Sequence, residues 1–329
     1  MAECLFELSG ELGDMPRDEA AAVAMAECGG DCHFVSAGPG YVVLDVPDSA
    51  MRTISERLAL SHYAGRYLGS FDPGDLARAS GAALPEGTFA VRYRRFRGMM
   101  PEADSQDLVR RAGAALSANN RVDLKHPDTT VRMLISDRVH LYLEDYRFEA
   151  DPLQKRKASE RPFFSPISLH PRYARALVNL TGVKRGDTVL DPFCGTGGIV
   201  IEAADMGMKA IASDFDPEMV AGTRENMAFY GLELEEYDTV DVGYVPERFP
   251  GVKAIACDLP YGRSTKTGGE PVDSIYERAI DAFTRTLAPG CRAGVVMPHI
   301  YDPGPMRLGA LYEQRVHGSL SRFYHVYAR

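Results

Sequence analysis

The sequence predicts an α/β protein whose C-terminal half is built on an open, mostly parallel sheet and whose N-terminal half is a set of smaller α+β units. Two stretches carry that prediction. From Thr188 a buried strand runs into the glycine-rich turn Asp191-Pro192-Phe193-Cys194-Gly195-Thr196-Gly197-Gly198, then a helix, then a second strand that ends in Asp214. Strand, glycine turn, helix, strand and acid, in that order, suit a ligand that contains a ribose. Further on, the apolar run Val252–Cys257, with only Lys253 polar, reads as another buried parallel strand ending in Asp258-Leu259-Pro260-Tyr261-Gly262. Pro and Gly stop that strand and stiffen the loop at its carboxyl end, the edge where open α/β sheets bind ligands.

The 329 residues suffice for two domains with real cores. An apolar fraction of 45% and a charged fraction of 25% are those of an ordinary globular protein, without repeats or low-complexity tracts. No apolar run approaches the roughly 20 residues that span a bilayer. The amino terminus, with Glu3, Glu7 and Glu11, lacks a basic leader, so a cytoplasmic protein is expected. The six cysteines fall mostly within or beside apolar strands, as reduced, buried thiols do. Cys28, Cys32 and His33 match no common zinc spacing, and no metal is expected. A net charge of -9 excludes a uniformly basic protein. It leaves nucleic acid open, because affinity follows a local basic face and not the total.

Residues 1–55 read as a small α/β unit. Glu3–Leu8 alternates like a strand, and Pro16–Glu27 is a helix opened by Asp14 and Pro16 and closed by Gly29-Gly30. A hairpin, His33–Ala37 with Tyr41–Val46, and a helix over Asp48–Leu58 follow. Residues 56–150 form a second unit. Its strand Thr88–Arg97 alternates apolar and basic residues and places Arg92, Arg94 and Arg97 on one face, a candidate RNA surface as well as an ordinary solvated one. A helix, Ser105–Ser117, and a hairpin, Thr130–Ser136 with Val139–Phe148, complete it. Residues 151–166 turn basic and proline-containing and read as a linker, in which Lys155, Arg156 and Lys157 are candidate phosphate contacts.

Residues 167–329 form the ligand-binding domain. Pro171 opens a helix, Thr188–Leu190 is a strand, and the glycines at 195, 197 and 198 let backbone pass close to a ligand at the start of the next helix. No Gly-Lys-Ser or Gly-Lys-Thr follows, so the turn is not a P-loop, and the third spaced glycine of a dinucleotide turn is also missing. Asp191 would repel a pyrophosphate and attract an ammonium, which favours S-adenosylmethionine over a dinucleotide. Asp214 is placed to accept from the ribose hydroxyls. The loop Asp258–Tyr261 offers a carboxylate, backbone carbonyls and an aromatic face, which suits a flat base carrying an exocyclic amine.

The segment Val122–Arg147, with its Asp-Leu-x-x-Pro step and two-stranded ribbon, resembles the THUMP domain of RNA-modifying enzymes, which implies an RNA-binding module over about 55–150 that usually grips the acceptor end of tRNA. The runs DPFCGTGGIVIEAA, SDFDPEMV, CDLPYGRST and GSLSRFYHVYAR resemble archaeal tRNA guanine-10 N2-methyltransferases. That resemblance implies a class I Rossmann-like methyltransferase of seven strands, the last antiparallel, acting on tRNA with S-adenosylmethionine as methyl donor. Carried onto this chain, it implies Asp258, Leu259, Pro260 and Tyr261 as the catalytic loop. It implies a methionine-binding turn at Asp191, Pro192, Gly195, Thr196 and Gly197, the ribose on Asp214, the adenine amine on Asp241 or its competitor Asp238, and His170 and Pro171 beside the cofactor. Leu259 stands where the family more usually has a first Pro. Arg263 and Lys266 are further candidate phosphate contacts, and some relatives use a small zinc-containing partner. The rival readings are an adenine N6 or guanine N2 methyltransferase of rRNA or DNA, and a non-catalytic RNA-binding subunit.

Overall fold

The computed structural model describes residues 1–118, 120–165, 168–261, 269–302, 304–317 and 320–329. The chain divides into two compact units: residues 1–11, 28–56 and 60–148 make the first, and residues 12–27, 57–59 and 149–329 the second.

The first unit is organised by one nine-stranded sheet. Its strands are β1 (Ala2–Leu8), β2 (His33–Gly38), β3 (Tyr41–Val46), β4 (Ser61–Phe71), β5 (Thr88–Arg95), β6 (Arg121–Val122), β7 (Thr129–Ile135), β8 (Val139–Leu143) and β9 (Tyr146–Arg147). The order is β2-β3-β1-β4-β8-β7-β5-β6, with β9 beside β4. The boundary expected at residue 55 therefore falls within a continuous sheet. The strand that joins the two parts is β4, which pairs with β1 through Ala64↔Phe6 and with β8 through Tyr67↔Tyr142. Its strand signal is blunted by Gly65 and Gly69. Gly65 is required, since a Cβ there would lie 1.8 Å from the Leu143 carbonyl oxygen.

Helix α1 (Met15–Cys28) falls almost wholly in the second unit, not with the strands on either side of it. Its buried Glu19 accepts from the amide of Ala59 (2.9 Å) and from Asn179 Nδ2 (2.8 Å), and its Glu27 pairs with the fully buried Arg57 at 2.6 Å. Arg57 closes α2 (Met51–Arg57). In the first unit α3 (Ser105–Leu116) starts at Asp104, whose side chain accepts from the amides of Gln106 and Asp107.

The second unit is a helix-flanked sheet of seven strands: β10 (Thr188–Asp191), β11 (Lys209–Asp214), β12 (Glu236–Thr239), β13 (Val252–Asp258), β14 (Leu287–Met297), β15 (Arg307–His317) and β16 (Leu320–Ala328). Their order is β12-β11-β10-β13-β14-β16-β15, the first five parallel and β16 antiparallel to both its neighbours. Strand order reverses between β10 and β13, which makes their carboxyl ends the switch point of the sheet. Leu190, Ile211, Ile255, Cys257, Tyr276, Phe283 and Met297 share one core beneath that edge.

The segment 151–166 is not a free linker. It opens with α4 (Asp151–Gln154), and its described residues, 151–165, pack as part of the second unit. Arg156 places Nε 2.7 Å from Glu202 Oε1 and a terminal nitrogen 2.9 Å from Oε2, and Glu202 has no solvent exposure. Arg161 is also buried, with its guanidinium 3.2 Å from the Thr196 hydroxyl. The amide and carbonyl of Phe163 bond Asn226 at 2.9 and 2.8 Å, and its ring covers Gly222, where a Cβ would sit 2.0 Å from the ring. A basic run is compatible with water or with buried acids, and composition alone does not separate the two.

Candidate active site

The glycine turn is built by backbone geometry and held from two sides. Gly195 and Gly197 have φ of 51° and 81°, in the left-handed region, and Gly197 caps α6 (Gly198–Asp205). From α7 (Pro217–Phe229) the Thr223 hydroxyl donates to the Gly195 carbonyl (2.8 Å) and Asn226 Nδ2 to the Thr196 carbonyl (2.9 Å). Arg161 supports Thr196 from the other side. Two acids complete the turn: Asp191 accepts from the Phe193 amide (3.1 Å), and Asp214 accepts from the amides of Gly195 and Asp216 (3.1 Å each). Burial pushes both carboxyls above the usual carboxylate range, and the charge of Asp214 raises Asp191 further.

A cavity of about 510 Å³ opens at this edge. Asp191, Pro192, Gly195, Thr196, Asp214, Asp241, Asp258, Leu259, Pro260 and Tyr261 all line it. Of the two candidates for the adenine amine, Asp241 lies in the wall, whereas Asp238, half-buried, is 2.6 Å from Arg248. His170 and Pro171 are the N-cap and first residue of α5 (Pro171–Leu180), and the neighbouring wall is made by Ser168 and Leu169. Gly197 stands one residue before the lining Gly198. Arg263 and Lys266 lie outside the described residues.

The catalytic-loop candidates sit at the end of β13. The Leu259 amide donates to the Val296 carbonyl (3.0 Å), prolonging the ladder, and its side chain is buried in the core. That packing supplies restraint where a proline ring is missing. The Tyr276 hydroxyl, on α9 (Val272–Thr286), donates to the Pro260 carbonyl at 2.8 Å. Tyr261 donates its hydroxyl hydrogen to Asp258 Oδ1 (2.7 Å), and Arg322 Nε lies 3.2 Å from the same hydroxyl. Withdrawal from water lifts the Asp258 carboxyl to about 6, against the lowering effects of the Tyr261 bond and of Arg322.

Sequence reasoning missed the residues that hold this set in place: Thr223 and Asn226 on the turn, Tyr276 and Arg322 on the loop, and Arg278 on Asp241. Arg278 bonds both oxygens of Asp241 and both of Glu270, and those hydrogen bonds hold the two carboxyls below their ordinary ranges. These side chains are brought in from α7, α9 and β16, and no local pattern reports such a meeting.

In the wall of the cavity Arg278 joins Asp241 and Glu270, but Asp191, Asp214 and Asp258 repel each other unless a further cation joins them. A nucleoside carrying an ammonium and a sulfonium fits that set, with Asp214 left for the ribose hydroxyls, while a pyrophosphate does not fit. The residues present thus suit S-adenosylmethionine.

Of the basic candidates, Arg156 and Arg94 are engaged internally. Arg156 is held by Glu202, as above, and Arg94 reaches buried Glu7 at 2.7 Å, the acid that also accepts from the Tyr142 hydroxyl. Arg92 is exposed and donates to the Leu124 carbonyl at 2.6 Å, Arg97 lies beyond β5 with φ of 43° and donates to the Gly10 carbonyl, and Lys155 is exposed with Lys157 half-buried. Among the described residues, no three His, Cys, Asp or Glu converge as metal ligands, and no helix is long and apolar enough to cross a membrane.

Comparison with known proteins agrees with this geometry. The family described as "RMKL-like, methyltransferase domain" matches residues 158–303. The tRNA (guanine(10)-N2)-dimethyltransferase of Methanothermobacter thermautotrophicus is 36% identical over 342 residues, covering 99% of each chain. That of Pyrococcus abyssi is 36% identical, covering 83% of this chain and 85% of its own. Among solved structures, TrmN from Thermus thermophilus shares the fold, with a TM-score of 0.54 and 24% identity over 99% of each chain. The chain belongs to the family of the tRNA (guanine(10)-N2)-dimethyltransferases, S-adenosylmethionine-dependent enzymes of the methyltransferase class.

Proposed function

We propose that the protein methylates the exocyclic N2 amine of guanine in tRNA, at guanosine 10, once or twice. The observation that carries this reading is the single cavity that joins the cofactor acids, Asp191 and Asp214, to the amine-accepting loop, Asp258–Tyr261. When bound, S-adenosylmethionine supplies an electrophilic methyl group on a sulfonium. The protein's task is to present the amine. Its lone pair is conjugated with the ring, and hydrogen bonds from its two hydrogens to Asp258 and to the Leu259 carbonyl draw the nitrogen towards pyramidal geometry. The lone pair then faces the methyl, and after displacement the proton passes to Asp258 or to solvent. A monomethylated amine keeps one hydrogen for Asp258, which permits a second round. A paired guanine hides this amine, so the base flips out and stacks on the Tyr261 ring, at a cost of a few kcal/mol. Arg92, Arg97, Lys155 and Lys157 are the proposed phosphate contacts, and the reaction is placed in the cytoplasm with its tRNA.

The test is transfer of labelled methyl to an unmodified tRNA transcript and to one with adenosine at position 10, followed by digestion to nucleosides. N2-methyl- and N2,N2-dimethylguanosine from the first transcript only are expected. N6-methyladenosine, or equal labelling of both, overturns the assignment. An enzyme that binds the cofactor but works only after a small zinc-containing protein is added needs that partner.

The pH profile follows from Asp258. Its carboxyl must be ionised to accept from the amine, and it is raised to about 6. Single-turnover rates should therefore be flat above neutrality and fall about tenfold per pH unit well below 6. A profile still flat down to about pH 5 excludes Asp258 as the group that must be ionised.

A further inference from the structure

Strand β16, inserted between β14 and β15, brings a cation to the catalytic loop. Because β16 runs against β13 and β14, its beginning lies at the edge where the parallel strands end: Asp258 pairs with Val296, Val296 with Tyr324, and Met297 with Phe323. Arg322 is therefore two residues beyond the level of Asp258. It is half-buried, and its Nε is 3.2 Å from the Tyr261 hydroxyl oxygen, while that hydroxyl is 2.7 Å from Asp258 Oδ1. A guanidinium has donors and no acceptor. With Arg322 donating to the Tyr261 oxygen, the hydroxyl hydrogen is left to point at Asp258, and Asp258 must accept. One carboxylate oxygen is fixed in this way, and the other is left to the substrate amine.

We infer that Arg322 is a positioning residue for methyl transfer: acting through the Tyr261 hydroxyl, it fixes the orientation of the Asp258 carboxylate and sets a positive charge beside it. The inference rests on the amine-presenting role of Asp258 given above. The other ionisable groups facing Asp258 are Asp191 at the end of β10, Cys257 on its own strand, Tyr261 on the loop, Tyr276 on α9 and Tyr324 on β16. None of these is a cation, so among the described residues it is Arg322 that offsets the carboxylate's charge.

The experiment compares wild type, Arg322→Gln, Arg322→Lys, Tyr261→Phe and the double variant Tyr261→Phe/Arg322→Gln in single-turnover methyl transfer from about pH 5 to about pH 8. For Arg322→Gln the plateau rate should fall about tenfold or more, the acid limb should move up by about one pH unit, and KM for tRNA should stay within about threefold. Arg322→Lys should restore part of both. In the Tyr261→Phe background the Gln substitution should add less than about a threefold loss, because the two side chains act as one unit. An unmoved limb, fully multiplicative losses, or an effect confined to KM for tRNA overturns the inference and makes Arg322 a structural or RNA-contacting residue. A separate readout needs no turnover: the Asp258 carboxyl is titrated by NMR in protein labelled with 13C-aspartate, its signal assigned by its loss in Asp258→Asn. Its pKa should rise in Arg322→Gln, and an equal value in both proteins overturns the inference. If wild type methylates no tRNA while this titration moves as expected, it is the substrate reading that has failed and not the role of Arg322.

Discussion

Asp258→Asn should reduce methyl transfer by about a thousandfold or more while cofactor affinity changes by less than about threefold. The substitution keeps shape and reverses one polarity. Tyr261 donates to Oδ1, and the amide oxygen of asparagine can take that place, so the loop has no reason to move. The amide nitrogen must then occupy the position of Oδ2, where a donor faces the donors of the substrate amine. Both contributions of the carboxylate are lost, its acceptor geometry and its negative charge beside the nitrogen that becomes positive. The structural controls are thermal stability and binding of S-adenosylhomocysteine by calorimetry, neither of which should fall. A variant that keeps more than about a tenth of wild-type single-turnover rate would remove Asp258 from the chemistry. Asp258→Glu is the useful companion, since it keeps the charge and displaces it, and its loss measures how much depends on position alone.

The two loops that line the cavity were legible because each is a local device. Asp191–Gly198 needs glycines for its backbone, and two of them do adopt left-handed φ. Asp258–Tyr261 ends an apolar run at a proline. Such features are contiguous in the chain, and so is the strand-helix alternation that predicts a parallel sheet. What supports these loops is not contiguous. Thr223, Asn226, Tyr276, Arg278 and Arg322 are ordinary helix or strand residues until the sheet closes, and Arg322 reaches Tyr261 across 61 positions of sequence. The same limit explains the joined N-terminal sheet. β4 carries Gly65 where other backbone passes close, so the residue that makes the packing possible also weakens the pattern that would have announced the strand. Charge is read least well of all. Arg92, Arg94 and Arg97 look alike in an alternating strand, yet Arg94 is held by buried Glu7.

Replacing Glu202 with Ala should destabilise the second unit by about 3–5 kcal/mol, the range for removing one partner from a buried ion pair. Glu202 has no exposure and sits between two guanidinium groups: Arg156 at 2.7 Å and Arg175 at 2.8 Å, whose side chains are only 11% and 8% exposed. Asp205 touches both arginines as well, but at 34% exposure it cannot replace a fully enclosed carboxylate. Of the two acids that join both cations, a partly solvated one would then remain. The loss should appear as a fall in melting temperature of roughly 10 °C, taking about 2–4 °C per kcal/mol for a unit of this size. Cofactor affinity should fall with it, for a geometric reason. Arg156 anchors the segment 151–165, its carbonyl accepts from Arg161, and Arg161 supports Thr196 in the glycine turn. Exchanging Glu202, Arg156 and Arg175 together for Met should recover most of the stability, because the acid left without its arginines, Asp205, is partly solvated and no enclosed charge of the cluster stays behind. It should not recover the affinity, since the carbonyl of residue 156 is then no longer fixed by the ion pair. Stability that stays low in the triple variant would mean that packing and not charge sets the loss, and affinity that stays normal in Glu202→Ala would separate this cluster from the glycine turn.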